Sequence, residues 1–103
     1  MAVATPQRRA SPRIAIELSM RFVRAKGHGR PVSARTIDLS TGGARVVADR
    51  PLKVDEVLHF ELDGEQVVRG ECRVLREHVG RTYAVRFERL QETEELARLT
   101  GSR

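Results

Sequence analysis

Hydrophobic side chains recur at every second position from Ile14 to Phe22, and polar or small residues fill the positions between them. A period of two is typical of a strand that turns one face toward a core. Similar short apolar stretches, separated by turn-forming residues, predict five further strands. The expected ranges are 32–37, 44–48, 57–62, 67–76 and 82–87.

The pattern changes after the last of these strands. The segment 92–100 predicts a short helix, because Thr93 can cap its start, acidic residues fill its first turn and Gly101 can end it. Leu96 and Leu99 lie three positions apart, so both are expected to face the strands.

Six strands followed by one helix predict a mainly β fold, a six-stranded antiparallel β-barrel with a short C-terminal helix. Closing the sheet removes exposed strand edges. Asp63-Gly64 is expected to form a hairpin turn through positive backbone φ angles. All four aromatic residues fall at inward strand positions: Phe22, Phe60, Tyr83 and Phe87.

Length and composition fit a single domain. The chain has 103 residues, of which 40% are hydrophobic, enough for one modest core. No stretch approaches the roughly 20 apolar residues of a membrane helix, and the N-terminus lacks the pattern of a signal peptide. A lone cysteine, Cys72, excludes an internal disulfide. These features together predict a cytoplasmic protein.

The charge is unevenly distributed along the chain. The net charge is +5, and of 19 basic residues only Lys26 and Lys53 are lysines. A GC-rich genome accounts for much of that ratio, so the positions of the arginines are more informative than their number. Residues 1–13 carry three arginines and no acid. We therefore expect a flexible basic arm over 1–13 and a folded domain over 14–103.

Two short motifs stand in this framework. Arg9 and Arg13 form R-x-x-x-R in the arm, and Asp38, Ser40 and Gly43 form D-x-S-x-x-G at a predicted turn. Guanidinium forks pair with phosphates and with guanine O6 and N7, while a carboxylate accepts from guanine N1–H and its amino group. A serine can donate to an oxygen, and glycine permits a tight turn or close approach. Together they suit an anionic ligand with flat faces, such as a guanine nucleotide.

Each motif also has a plainer interpretation. The spacing R-x-x-x-R recurs at Arg69 and Arg73, which the strand pattern places on a solvent-facing surface. Asp38 and Ser40 are also typical of turns in which these side chains bond to their own backbone. Neither motif is specific by itself, whereas the ordered pair is.

The ordered pair, the six-strand pattern and the terminal helix resemble the PilZ domain family over nearly the whole chain. The closing strand reads A-V-R-F at 84–87, where the family often has Gly-Val-x-Phe. The resemblance implies binding of cyclic di-GMP, and Arg8 before the first motif implies an intercalated dimer of that ligand. The implied ligand-binding residues are Arg8, Arg9, Arg13, Asp38, Ser40, Gly42 and Gly43.

The resemblance further implies a bacterial second-messenger receptor that orders its arm on binding and signals through an unknown partner protein. No cofactor beyond this ligand is implied. We expect neither enzymatic activity nor a metal site, because the sequence offers no nucleophile–base set and its three histidines are widely separated. Two alternatives stay open: a basic barrel that binds nucleic acid, which the inward aromatics disfavour, and a protein adaptor that no longer binds the messenger.

Overall fold

A computed structural model describes residues 13–24, 29–91 and 93–101. These residues form seven strands and one helix in chain order. They are β1 (Ile14–Ala15), β2 (Ser19–Arg24), β3 (Val32–Leu39), β4 (Gly43–Ala48), β5 (Val57–Asp63), β6 (Val67–His78), β7 (Thr82–Leu90) and α1 (Thr93–Thr100).

Six of the strands close into an antiparallel barrel. The order around the ring is β3-β2-β5-β6-β7-β4, and pairing between β4 and β3 completes it. The two-residue β1 extends the ring at one end, where it pairs with the last residues of β3. The predicted fold class is therefore confirmed, and each later strand runs at least as far as the hydrophobic pattern indicated.

The core is built from the inward positions of every long strand. Phe22, Phe60 and Tyr83 are buried there, and Phe87 stacks on Phe60 with ring centroids 4.9 Å apart. Burial alternates along β3 and β5 as period-two packing requires. The inward placement of all four aromatics is confirmed, since Phe87 also packs against the core.

The first predicted strand is interrupted at residues 16–18. Thr36, on the neighbouring β3, holds both sides of the gap: its hydroxyl accepts from Leu18 N–H at 2.8 Å and donates to the Ile16 carbonyl at 2.6 Å. The Thr36 amide also donates to the Leu18 carbonyl at 2.9 Å. A side chain thus replaces part of the backbone ladder, so that β1 and β2 follow the same edge of β3.

The hairpin between β5 and β6 forms where the sequence predicted it, but without the expected backbone angles. Neither Asp63 nor Gly64 has a positive φ. A Cβ on Gly64 would instead collide with the Glu95 carboxylate and lie 2.9 Å from a Leu99 methyl group. The helix therefore packs directly on this hairpin, and a side chain at position 64 would require Glu95 and Leu99 to shift.

The helix α1 covers one end of the barrel. Leu96 is buried and Leu99 packs against the core, as the spacing predicted. Glu95 is also buried; its carboxylate accepts from the Gln66 amide at 3.2 Å and from Arg98 at 2.8 Å. The helix ends at Gly101, whose φ is 75°. Among the described residues, no helix is long and apolar enough to cross a membrane.

Candidate functional site

A β-bulge near the end of β3 sets the direction of Asp38. The β3–β4 pairing runs from Thr36↔Val46 to Asp38↔Arg45, so Ile37 is an extra residue on β3. Thr36 and Val46 face the core, and Arg45 faces outward. Because paired residues share a face, the bulge turns Asp38 to the outer surface beside Arg45.

Two arginines approach the Asp38 carboxylate. Arg45 directs Nε and a terminal nitrogen at Oδ2, at 2.9 and 2.8 Å. The Arg13 Nε lies 3.7 Å from Oδ1, an ion-pair distance that is too long for a hydrogen bond. Although the Asp38 side chain is only 9% exposed, Oδ1 has no hydrogen-bond partner among the described residues. One carboxylate oxygen is therefore hydrogen-bonded, and the other is buried without a hydrogen-bond donor in the described structure.

The short β1 brings Arg13 to this position. Ala15 pairs with Asp38 on the edge of β3 that faces away from β4, and Arg13 directly precedes β1. Asp38 is thus flanked by the base of the predicted arm on one side and by β4 on the other. The second arginine of R-x-x-x-R and the aspartate of D-x-S-x-x-G, 25 positions apart in sequence, lie side by side.

Ser40 is held inside its own turn. Its hydroxyl accepts from the Gly42 and Gly43 amides, each at 3.2 Å, and lies 3.3 Å from the Gly43 carbonyl, to which it can donate. The Ser40 amide donates to the same carbonyl at 2.9 Å. These contacts match the plainer interpretation of this motif for Ser40, and they fix the geometry of the β3–β4 turn.

The two glycines of the motif have different environments. Gly42 is exposed, and a Cβ there would meet only the Ser40 hydroxyl, at 3.9 Å. Gly43 is buried, and a Cβ there would collide with the Val85 carbonyl of β7. The close approach that Gly43 allows is therefore that of a neighbouring strand.

A broad groove adjoins Asp38 on the outer face of β2 and β3. It has a volume of about 1320 Å³, and Ala15 and Ile37 lie on its border. Glu17 and Arg35 form an ion pair of 2.7 Å within it. Asp38, Ser40 and Gly43 do not line the groove themselves, although Asp38 directly follows its lining residue Ile37.

The other arginines of the two R-x-x-x-R spacings do not extend this site within the described residues. Arg8 and Arg9 lie outside the described residues, as does the arm up to residue 12. On β6, Arg69 is paired with Glu61 at 3.2 Å and Arg73 with Glu88 at 2.8 Å. That face is outward and charge-paired, in agreement with the solvent-facing interpretation of these two arginines.

Sequence reasoning missed Arg45, although one signal was present. Asp38 and Arg45 have opposite charges on either side of a predicted turn, so a hairpin brings them close together.

The outer surface of the barrel also carries Glu88, which binds Arg73 and Arg86. Hydrogen bonds from these two guanidinium groups lower the pKa of the Glu88 carboxyl. Within the described ranges, no cluster of three metal-ligating side chains occurs.

The comparisons with known proteins agree with this architecture. The model of the PilZ domain family matches residues 7–102, and the chain belongs to this family. No curated protein matches the chain.

Two solved structures share the fold. One is the PilZ domain of CeSA from a cellulose-synthesizing bacterium, with a TM-score of 0.69 and 21% identity over 88% of this chain and 96% of that one. The other is the PilZ domain of YcgR from Escherichia coli with c-di-GMP, with a TM-score of 0.64 and 17% identity over 92% and 90% of the two chains.

Proposed function

We propose that this protein is a cyclic di-GMP receptor whose residues 1–13 become ordered on the ligand and whose output passes through a partner protein. One observation carries the proposal: Arg13 lies against Asp38, so the halves of a two-part motif meet at one point. The Asp38 oxygen that lacks a hydrogen-bond donor suits the N1–H and amino edge of guanine, and Arg9 and Arg13 suit O6, N7 or phosphate. Ser40, Gly42 and Gly43 would shape the turn below the ligand.

Arg8 supplies a further expectation of the same proposal. A third guanidinium in the arm would stack on or pair with a second ligand molecule, which gives two ligands per chain as an intercalated dimer. Arg8→Ala would then reduce the stoichiometry measured by calorimetry from two toward one, while Arg9→Ala would weaken both binding events.

Calorimetry with cyclic di-GMP, cyclic di-AMP, GTP and a short DNA duplex tests the proposal. We expect binding of the first ligand and little of the others. Arg9→Ala and Arg13→Ala should each weaken binding by about 1–3 kcal/mol. The matched controls are Arg69→Ala and Arg73→Ala, which remove the same spacing from β6 and should leave binding unchanged. If the Arg69 and Arg73 variants lost binding while the Arg9 and Arg13 variants kept it, the ligand would be bound by the arginine pair on β6 and not by the pair in the arm.

The alternatives predict other results. A nucleic-acid binder would hold the DNA duplex with an affinity that falls steeply as salt rises. A PilZ adaptor without ligand binding would ignore every nucleotide offered yet still bind its partner. The buried or half-buried state of Phe22, Phe60, Tyr83 and Phe87 leaves no aromatic stacking platform on the described surface, which supports the receptor over the nucleic-acid binder.

A further inference from the structure

The Asp38 carboxylate is hydrogen-bonded through one oxygen only, since Arg13 approaches the other at an ion-pair distance of 3.7 Å. Both contacts from Arg45 end on Oδ2, at 2.9 and 2.8 Å, and Oδ1 is buried without a hydrogen bond in the described structure. A buried carboxylate oxygen without a donor is costly, and its persistence points to a contact that is made when a ligand is present. The Asp38 side chain is thus oriented before any ligand arrives.

The group that orients it lies on a rigid element. Arg45 sits in the middle of β4, which is paired with β3 on one edge and with β7 on the other. Its backbone is fixed by both ladders, and its side chain, 44% exposed, reaches across the β3–β4 pair to Asp38. Arg13, by contrast, precedes a strand of two residues. Of the two arginines, Arg45 is the one whose position depends least on the arm.

We propose that Arg45 is a positioning residue of the ligand site, which fixes Oδ2 of Asp38 so that Oδ1 meets the N1–H and amino edge of guanine. The inference rests on the proposed function and adds a basis for selectivity. Adenine carries an acceptor at N1 and no 2-amino group, so a fixed Oδ1 would repel adenine while it accepts from guanine. Loss of Arg45 then lowers the affinity for cyclic di-GMP. It also lowers the selectivity, which is the affinity for cyclic di-GMP divided by the affinity for cyclic di-AMP.

The premise is tested first without ligand. Arginine-detected NMR of the parent should show an Arg45 Nε–H signal that exchanges slowly with water, and Asp38→Ala should remove this protection. Rapid exchange in the parent would overturn the inference while leaving the proposed function intact.

The role in binding is then measured with a double-mutant cycle of Asp38→Ala and Arg45→Ala. By calorimetry, Arg45→Ala should weaken cyclic di-GMP binding about 10- to 100-fold, which is the usual contribution of a hydrogen bond to a charged group. In the Asp38→Ala background the same change should have little further effect, because Arg45 acts through Asp38. Equal losses in both backgrounds would mean that Arg45 binds the ligand by itself, and would overturn the inference.

Two further variants separate positioning from charge and from folding. Arg45→Lys keeps the charge but cannot place two donors on Oδ2, so it should resemble Arg45→Ala more than the parent. Arg69→Ala removes another outward arginine that is paired with a carboxylate, here that of Glu61, and should bind like the parent. Thermal unfolding shows whether each variant is folded. If Arg45→Ala does not fold, Arg45→Lys replaces it in the test. Binding of cyclic di-GMP by Arg45→Lys as tight as by the parent would then overturn the inference. Failure of the parent to bind refutes the proposed function itself.

Discussion

At the scale of single residues, the two glycines of D-x-S-x-x-G are expected to differ sharply in their tolerance of a methyl group. Gly43→Ala would drive Cβ into the Val85 carbonyl, so β4 and β7 must separate locally. We expect a loss of about 1–3 kcal/mol in the free energy of unfolding, measured by urea denaturation.

Gly42→Ala is the matched control, because its Cβ would be 3.9 Å from the nearest atom, the Ser40 hydroxyl. Its unfolding midpoint should stay close to that of the parent. If the two variants were equally stable, the close contact between β4 and β7 would not exist as described.

The residue scale also shows what a sequence motif can and cannot predict. The pattern D-x-S-x-x-G predicted a turn that begins at Asp38; Ser40 lies at this turn, but Asp38 is still part of β3, which continues to Leu39. The outward direction of Asp38 and its contact with Arg45 depend on the bulge at Ile37. The bulge shifts the inward positions by one residue, from Thr36 to Leu39, but only two residues of β3 follow it, too few for the shift to show in the alternating pattern.

At the scale of elements, Thr36 should control the joint between β1 and β2. Thr36→Val removes the hydroxyl that accepts from Leu18 and donates to Ile16, and leaves both backbone groups without that partner. The expected loss of stability is about 1–3 kcal/mol, with faster amide exchange at Leu18. Thr36→Ser, which keeps the hydroxyl, should behave more like the parent; equal losses from the two changes would assign the effect to packing.

The docking of α1 should depend on pH through Glu95. Hydrogen bonds from Arg98, with help from the Gln66 amide, lower the pKa of this carboxyl from an ordinary 4.5 to about 2. A carboxyl with a lowered pKa in the folded state stabilises the fold fully above its unfolded pKa, and this contribution is lost as pH falls from about 4.5 toward 2. The protection factor of the Gln66 amide, which is its intrinsic exchange rate at each pH divided by the observed rate, should therefore fall over that range.

A comparison of two charge-neutral variants isolates the effect. Glu95→Gln should accelerate Gln66 exchange at neutral pH and flatten its acid dependence, whereas Glu94→Gln, an exposed neighbour in the same turn, should change neither. If both variants kept the acid dependence of the parent, another carboxyl would hold the helix.

At the scale of the whole molecule, the hydrophobic pattern predicted the number of long strands, their positions along the chain and the terminal helix, because each element buries one face in a shared core. The strand pairing that closes the ring involves β3 and β4, whose turn the motif also marks. The break in the first strand was not predicted, because residues 14–22 keep a perfect alternation through it. Its cause is a tertiary contact from Thr36, which no local pattern contains.

The core also predicts how the protein's thiol reacts. Burial raises the pKa of Cys72 to about 12, with smaller contributions from Glu88 and Glu56. Since the thiolate is the reactive form, a disulfide reagent at mildly alkaline pH should modify Cys72 only when the barrel opens. The reaction rate should rise with denaturant in parallel with unfolding. If the proposed function holds, cyclic di-GMP at 100 times the Kd of one site should stabilise the fold by about 2.7 kcal/mol through that site and slow the reaction about 100-fold, while cyclic di-AMP should leave the rate unchanged. Rapid labelling of the native protein would mean that the strands around Cys72 open without global unfolding.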